Sequence, residues 1–254
     1  MRPADRNALI TGGAKRIGKA IVQDLAAHGF AVAIHCGRSR AEAESLAASI
    51  SADGGRAVVL QADLTDTTQA EGLVGEANEA LGPIGLLVNN ASVFEPDSIT
   101  GFTDETWDRH FALHVKAPAV LARSFAQALP QDHEGLIVNM IDQRVWKPTP
   151  RYFSYTLSKA ALWMATRTMA QALAPRIRVN AIGPGPTLPD RGEDEASFRR
   201  QTDALPLGRG PDLSEFGATI HYLWETPSIT GQMIALDGGK HLAWQTPDIV
   251  GGGT

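Results

Sequence analysis

The chain has 254 residues, 43% of them hydrophobic, with 23 lysines and arginines against 28 aspartates and glutamates and a net charge of −5. That is enough chain for one large buried core, while the mild acidity argues against a nucleic-acid surface and no apolar run approaches the roughly 20 residues that cross a bilayer. The single cysteine, Cys36, excludes an internal disulfide and fits a reducing cytoplasm.

Short β-branched runs alternate with helical patterns along the chain. NALIT (7–11) reads as a strand and KRIGKAIVQDLAAHG (15–29) as a helix ended by Gly29. FAVAIHC (30–36) is a second strand, and SRAEAESLAASISADGG (39–55) a helix closed by two glycines. RAVVLQAD (56–63) is followed by the helix TDTTQAEGLVGEANEALG (65–82), opened by threonine and aspartate. IGLLVNNA (84–91) is a fourth strand, and residues 104–129 form one long helical stretch. GLIVNMID (135–142), a helix through Tyr155, IRVNAIG (177–183) and QMIALDGG (232–239) complete the series. The N-terminus is polar before it enters a strand, unlike a signal peptide, and Gly251 to Thr254 reads as a flexible tail. This β–α repetition predicts a single α/β domain of Rossmann type, a doubly wound parallel sheet in three layers. Ligands in such a sheet bind beyond the carboxyl ends of its strands, which nominates the segments after each strand.

After the first strand comes TGGAKRIG, Thr11 to Gly18, opening the first helix. Glycines permit a tight turn and a close approach to a diphosphate, and the helix start offers free N–H groups. Gly12, Lys15, Arg16, Ile17 and Gly18 are therefore candidate dinucleotide contacts. The second strand ends in His35, Cys36, Gly37, Arg38 and Ser39, with no acid to accept bonds from a free ribose 2′-hydroxyl. Arg38 and Ser39, with Arg16 as a second cation, instead suit a 2′-phosphate and so NADP, unless they are merely solvated, and His35 is a further candidate cofactor contact. Tyr155 and Lys159 sit one helical turn apart and share a face. An ammonium beside the phenol is expected to lower the tyrosine pKa and make it a usable acid or base. No metal site is expected.

With these motifs in order, the chain resembles the short-chain dehydrogenase/reductase family over essentially its whole length. The motifs are the Gly-rich turn, Asp63-Leu64, Asn89-Asn90-Ala91, the Tyr155/Lys159 pair and Pro184-Gly185. The resemblance implies a nicotinamide cofactor and hydride transfer, with Tyr155 passing the proton and Lys159 tuning it and holding the nicotinamide ribose. It implies that Asp63 and Leu64 meet the adenine, and that Asn90, Ala91, Pro184 and Gly185 line the cofactor cleft. It also implies a homotetramer built on long helices.

The departures narrow the resemblance. Arg16 stands where the middle glycine of the family turn is usual, Asp142 stands where a serine is usual, and His114 replaces a common asparagine. TGGAKRIG, NNASVF and NMIDQ together are similar to the pteridine reductase branch, which includes bacterial dihydromonapterin and dihydrofolate reductases. The branch implies NADPH-dependent reduction of a dihydropterin or dihydrofolate. Its C=N bond takes hydride at carbon and a proton at nitrogen, which Tyr155 and Asp142 would supply. A substrate set of Arg16, Ser92, Phe94, Asp142 and Tyr155 follows, with Phe94 stacked on the pterin face.

Plainer roles stand beside these. Phe94 is either a stacking platform or loop packing, and Asp142 a proton relay or a cap and salt-bridge acid for Arg144. His114 is either a relay or a brace. The charged, Pro- and Gly-rich segment 187–210 reads as a lid over the substrate. Its Arg191, Arg199 and Arg200 either meet an acidic substrate tail or form a solvated face. Trp107, Trp163 and Trp224 read as core or interface residues, Trp146 as bordering the pocket, and Trp244 as reaching a neighbouring subunit. A carbonyl reductase acting on a 3-oxoacyl thioester, ketone or sugar is the alternative activity, and an NADP-binding sensor without turnover is the alternative class.

Overall fold

Seven runs of apolar, largely β-branched residues pair side by side in parallel, because strands buried on both faces gain from apolar side chains pointing both ways. The computed structural model describes residues 6–190 and 192–244. Its strands are β1 (Asn7–Ile10), β2 (Ala31–Cys36), β3 (Ala57–Gln61), β4 (Leu86–Asn89), β5 (Gly135–Met140), β6 (Ile177–Pro184) and β7 (Met233–Leu236). They are ordered β3-β2-β1-β4-β5-β6-β7, and each neighbouring pair is parallel. The order reverses between β1 and β4, which opens a crevice at their carboxyl ends.

The helices are α1 (Arg16–Ala27), α2 (Arg40–Ala52), α3 (Thr67–Leu81), α4 (Asp104–Phe111), α5 (Ala117–Ala128), α6 (Phe153–Leu173), α7 (Glu195–Asp203) and α8 (Leu213–Glu225). Alternating strand residues divide the core between the two faces. Ala8 and Ile10 pack with Ile21 and Leu25 of α1, Leu46 of α2 and Phe216 and Ile220 of α8. Leu9 faces the other way and packs with Leu73 of α3, Leu121 of α5 and Ala170 of α6. Among the described residues no helix is long and apolar enough to cross a membrane.

Three features depart from the sequence reading. The helical stretch 104–129 is interrupted by one π-turn, Ala112–Lys116, which carries His114; such turns often sit at functional sites. The segment 187–210 contains α7, whose start is capped by Asp194. Residues 213–225 form α8, opened by a capping box in which Asp212 and Glu215 exchange bonds with each other's backbone N–H. The D-x-x-E spacing of that box is visible in the sequence and was the missed signal. The tail from Gly251 to Thr254 lies outside the described residues.

Arg178 ties the last layers together. From β6 its guanidinium donates to the carbonyls of Leu223 (2.7 Å), Trp224 (3.1 Å), Thr226 (3.2 Å) and Ile229 (3.2 Å). These are the end of α8 and the turn beyond it, where a cation complements both free carbonyls and the helix dipole. Arg178→Met keeps much of the packing volume but leaves those carbonyls unpaired. The variant is expected to lose roughly 2 to 4 kcal/mol of folding stability, measured by chemical denaturation.

Candidate active site

The crevice is closed at its base by hydrogen bonds between the ends of β1, β2 and β4. Thr11 follows β1, and its hydroxyl accepts from the N–H groups of Asn90 (2.9 Å) and Ala91 (3.0 Å) while donating to Val88 O (3.3 Å). The Asn90 amide donates back to Thr11 O (2.9 Å) and Gly12 O (3.1 Å). His35 is buried at the end of β2; its Nδ1 accepts from Gly12 N–H (3.1 Å) and its Nε2 lies 3.0 Å from Ala62 O. The ring proton therefore belongs on Nε2, and burial lowers the His35 pKa. His35 thus fixes the turn rather than reaching a ribose phosphate itself, because both ring nitrogens are engaged inside.

The turn leaves no room for side chains. A Cβ on Gly18 would lie 2.2 Å from Gly12 O and 2.6 Å from Asn90 Nδ2, and one on Gly12 2.9 Å from Ala91 Cα. The start of α1 has no side-chain cap and no acid in its first turn, so its N–H groups stay available to an anion. That cradle fits a diphosphate. Arg16 adopts a left-handed conformation (φ 52°) and donates to Pro189 O (3.0 Å) and Leu188 O (3.4 Å), linking the turn to the segment after β6. Lys15 is paired with Glu42 at 2.6 Å, and Ile17 packs against the core. A cavity of about 820 Å³ beside the turn is lined by Lys15, Arg16, Lys19, Glu42 and Ser45.

Arg38 is exposed beyond β2, and Ser39 begins α2 without a side-chain capping bond. Thr65 donates its hydroxyl (2.7 Å) and its N–H (2.9 Å) to Asp63 Oδ1. Those bonds, with a smaller contribution from Arg38, hold the Asp63 carboxyl below its ordinary range. The Leu64 side chain is buried in the core, which leaves its backbone to meet a ligand. Pro184 ends β6, and Gly185 N–H donates to Leu236 O (2.8 Å). A Cβ at Gly185 would fall 2.5 Å from Asp237 Cα.

Tyr155 projects from the first turn of α6 and donates to Asp142 Oδ2 at 3.0 Å. The other carboxylate oxygen accepts from Arg144 N–H (2.7 Å) and caps the short 3-10 turn Gln143–Val145. One oxygen of the acid thus meets Tyr155 and the other caps the turn. The expected salt bridge to Arg144 does not form; the guanidinium lies over the rings of Phe94 (5.4 Å) and Tyr152 (5.1 Å).

The expected depression of the Tyr155 pKa is overturned by this geometry. Burial, and then the Asp142 carboxylate, push the phenol well above its ordinary value. Lys159 donates instead to Met140 O (2.8 Å), with its Nζ 5.7 Å from the Tyr155 ring centre. Desolvation brings the Lys159 ammonium down to about 8, against the opposing pull of Asp142.

Around Tyr155 the walls are aromatic and histidine-rich. Phe94 stacks on Tyr152 (4.1 Å between centres, 12°) and meets Tyr155 edge-on (4.7 Å). Phe94 thus lies at the pocket, with one face already covered by Tyr152. The π-turn aims His114 inward: its Nε2 accepts from Val93 N–H (3.2 Å) beside the Ser92 hydroxyl (3.0 Å), and its Nδ1 lies 2.8 Å from Ser158 Oγ. Burial drives the His114 pKa well below its ordinary value. With both ring nitrogens engaged, His114 braces Ser92, Val93 and Ser158 beside Tyr155.

Several residues of the cleft were not singled out from sequence. Tyr152 is, with Arg16, one of two non-glycine residues among those described that adopt a left-handed backbone, and both flank the cleft, where such strain is tolerated for function. Ser154 donates to Asp97 and lies 2.7 Å from His110 Nδ1, anchoring the start of α6. Asp190 follows Arg16's partners in the 187–210 segment. Partial desolvation and then Glu193 raise its carboxyl, opposed by Arg16 and Arg144. Tyr152 and Asp190 come from irregular segments whose composition carries no periodic signal. Arg199 and Arg200 are exposed on α7, Arg191 lies outside the described residues, and Trp146 is exposed beside Trp163 and His241. Trp244 is also exposed.

A family model described as short chain dehydrogenase matches residues 6–199. The crystal structure of FolM alternative dihydrofolate reductase 1 from Brucella canis, complexed with NADP, is 61% identical and superposes with a TM-score of 0.93 over 96% of each chain. The corresponding Brucella suis structure, also in complex with NADP, is 61% identical with a TM-score of 0.93 over 95% of this chain and 97% of that one. A short-chain type dehydrogenase/reductase of Picea abies is 32% identical over 249 residues, 92% of each chain.

Gly18→Ala tests the close-packed turn. The added methyl meets backbone oxygen and the Asn90 amide, so the β1 and β4 ends must part. A loss of about 2 to 4 kcal/mol in stability is expected, together with loss of dinucleotide binding by calorimetry; unchanged binding would refute the cradle.

Proposed function

The chain belongs to the short chain dehydrogenase family, and within it we propose that the cleft reduces the C=N bond of a dihydropterin or dihydrofolate with NADPH. The observation that carries this reading is the carboxylate of Asp142 hydrogen-bonded to Tyr155 at 3.0 Å. A carbonyl reductase needs a neutral donor against a developing alkoxide, which a carboxylate in that place repels. A C=N bond needs a proton at nitrogen, and an acid pair suits that need. Similarity at 61% identity to two NADP-complexed dihydrofolate reductases supports the same substrate class.

NADPH supplies the hydride when bound. Gly12, Lys15, Arg16, Ile17, Gly18, Asn90 and Ala91 would hold its diphosphate end of the cleft. Arg38 and Ser39 would take the 2′-phosphate, Asp63 and Leu64 the adenine, and Pro184, Gly185 and Lys159 the nicotinamide half, with His35 supporting the turn. Tyr155 stays a neutral phenol and donates its proton to the substrate nitrogen. A phenolate beside an ionised Asp142 would be strongly disfavoured, so Asp142 takes up the replacement proton from the half-exposed side and passes it on. Lys159 stabilises the charge left on Tyr155 while it keeps its own proton. Phe94 and Ser92 would position the pterin with Arg16. Arg144, whose Nε is buried without a hydrogen-bond partner, would bond an acceptor on the ring edge. Residues 187–210 would close over the substrate, latched to the phosphate turn through Arg16. The protein would act in the cytoplasm as a homotetramer, with the exposed Leu157 and Met164 of α6 seven residues apart on a face open to another copy.

Two experiments test this reading. NADPH oxidation is followed with dihydrofolate, dihydrobiopterin and dihydromonapterin beside a panel of ketones. Turnover with a pterin or folate is expected; turnover with ketones alone would assign the alternative activity. Tyr155→Phe should lose at least about 100-fold in kcat while binding NADPH, a result a non-catalytic sensor would not give. Asp142→Ser should abolish pterin reduction.

The pH profile tests Lys159. Its ammonium is charged below about pH 8 and neutral above, so kcat/KM is expected to fall as pH rises through about 8. Asp142 is the anion that supports this charge, so Asp142→Asn should move any residual alkaline limb to lower pH. A limb fixed near pH 10 in both proteins would remove Lys159 from the titration.

A further inference from the structure

We propose a binding site for a zinc-class divalent transition metal between α1 and α8, built from Asp24, His28 and His221. One donor atom from each lies within 4.8 Å of the other two. Asp24 in the last turn of α1 and His28, its C-cap, are four residues apart and lie on one side; His221 reaches them from α8. Asp24 Oδ1 is 3.3 Å from His28 Nδ1 and 2.9 Å from His221 Nε2. Tetrahedral ligands at zinc distances of about 2.0 to 2.1 Å stand about 3.3 Å apart, so the Asp24–His28 edge already fits and the Asp24–His221 edge opens by a few tenths of an ångström. Two imidazoles and a carboxylate suit zinc, copper, nickel or cobalt, whereas magnesium and calcium favour oxygen-only sets.

Two further observations point to a ligand. Asp24 Oδ1 and His221 Nε2 are buried atoms without a hydrogen-bond partner. They sit 2.9 Å apart as charge partners, yet without the alignment of a hydrogen bond, so their lone pairs are left to converge elsewhere. The helix interface is also shaped around the carboxylate. A Cβ on Gly217, one turn before His221, would fall 2.2 Å from Asp24 Cγ and 2.4 Å from Oδ1. Gly217 thus leaves the space that Asp24 fills.

The surroundings fit a structural clamp. Phe30 walls the inner side, 5.8 Å from His221 between ring centres, and the two imidazoles lie 4.2 Å apart at 55°. His28 is exposed, which leaves the outer coordination position to water, as in an open zinc site. His28 Nδ1 also lies 2.8 Å from Asp24 O. On metal binding its proton shifts to Nε2 at the exposed edge, and Asp24 O keeps its bond from His28 N–H (3.1 Å). Asp24 stands 8 residues and His28 12 residues into the chain beyond Arg16, roughly 12 and 18 Å along the helix axis. The site is therefore separate from the phosphate turn, and the clamp would act on the packing of α8 against α1.

The test uses the full chain without a polyhistidine tag, titrated with Zn²⁺ and, separately, Mg²⁺ by calorimetry and by thermal melting. One saturable Zn²⁺ site per chain is expected, with a higher melting temperature and no response to Mg²⁺. His28→Gln, on the surface, and His221→Gln should each weaken Zn²⁺ binding by about tenfold or more and remove the melting shift, while metal-free NADPH-dependent turnover stays unchanged. Co²⁺ in place of Zn²⁺ should give the intense visible absorption of a tetrahedral site, lost in His28→Gln. An absence of saturable Zn²⁺ binding, an equal response to Mg²⁺, or binding unaffected by either substitution would overturn the proposal and leave His221 and Asp24 as a simple ion pair.

Discussion

The hydrogen-bonded junction among Thr11, Asn90, Gly12 and His35 is the constraint on which the cleft depends. A parallel sheet leaves a gap where its strand order reverses, and neighbouring strand ends diverge there. Thr11 and Asn90 close that gap from β1 and β4 with two mutual bonds, and Asn90 to Gly12 O and Ala91 N–H to Thr11 add two more. His35 fastens the same turn to the ends of β2 and β3. The junction consumes the polar groups of the turn's inner side. What it leaves outward is the uncapped start of α1, where the helix dipole and free N–H groups favour an anion. The same glycine that permits this packing, Gly18, has no room for a methyl group, so architecture and anion recognition rest on one contact.

Charge around Tyr155 follows a different logic. The buried phenol faces one carboxylate, Asp142, within hydrogen-bond reach and another, Asp190, at longer range, and both raise its pKa. Arg144 opposes them, and Lys159 sits beneath the ring with its hydrogen bond directed to Met140 O. These shifts hold the phenol in its protonated form, in accord with the proposed role of Tyr155 as a proton donor. That assignment suits a reductive direction, in which the residue must hold a proton until hydride arrives. The basic groups near the cleft, Arg16, Arg144 and Lys240, are partly offset by Asp142 and Asp190.

Much of this was legible in the chain because periodicity and punctuation coincide. The β-branched runs that became β1 to β7 carry enough pattern to place the sheet, and the glycine turn follows its strand as the helix start requires. Tyr155 and Asp142 meet because α6 and the end of β5 each lie where the resemblance put them. What stayed hidden depends on three-dimensional detail. The π-turn at Ala112–Lys116 adds no signature to a sequence that still reads as helical, yet it turns His114 inward and makes it a brace. The sign of the Tyr155 shift depends on its burial and on the Asp142 carboxylate, and spacing along a helix reports neither. Tyr152 and Asp190 lie on irregular segments, where neither a period of two nor of 3.6 marks a direction.

The same limits explain why Asp24, His28 and His221 escaped notice. Histidines 193 residues apart in sequence show no ligand spacing, and Asp24 with His28 alone reads as an ordinary i,i+4 surface pair. Their convergence needs α8 to lie against α1, and Gly217 lets the two helices close on the carboxylate. Helix α1 then has opposite tasks at its two ends. Its start presents unpaired N–H groups and attracts an anion; its last turn lies at the negative end of the dipole, where a cation is favoured. A metal held by α1 and α8 would brace the far end of the helix whose near end must hold a diphosphate. The two ends share one rigid rod, so fixing the distal end limits the tilt of α1 and keeps the cradle aligned beneath the crevice.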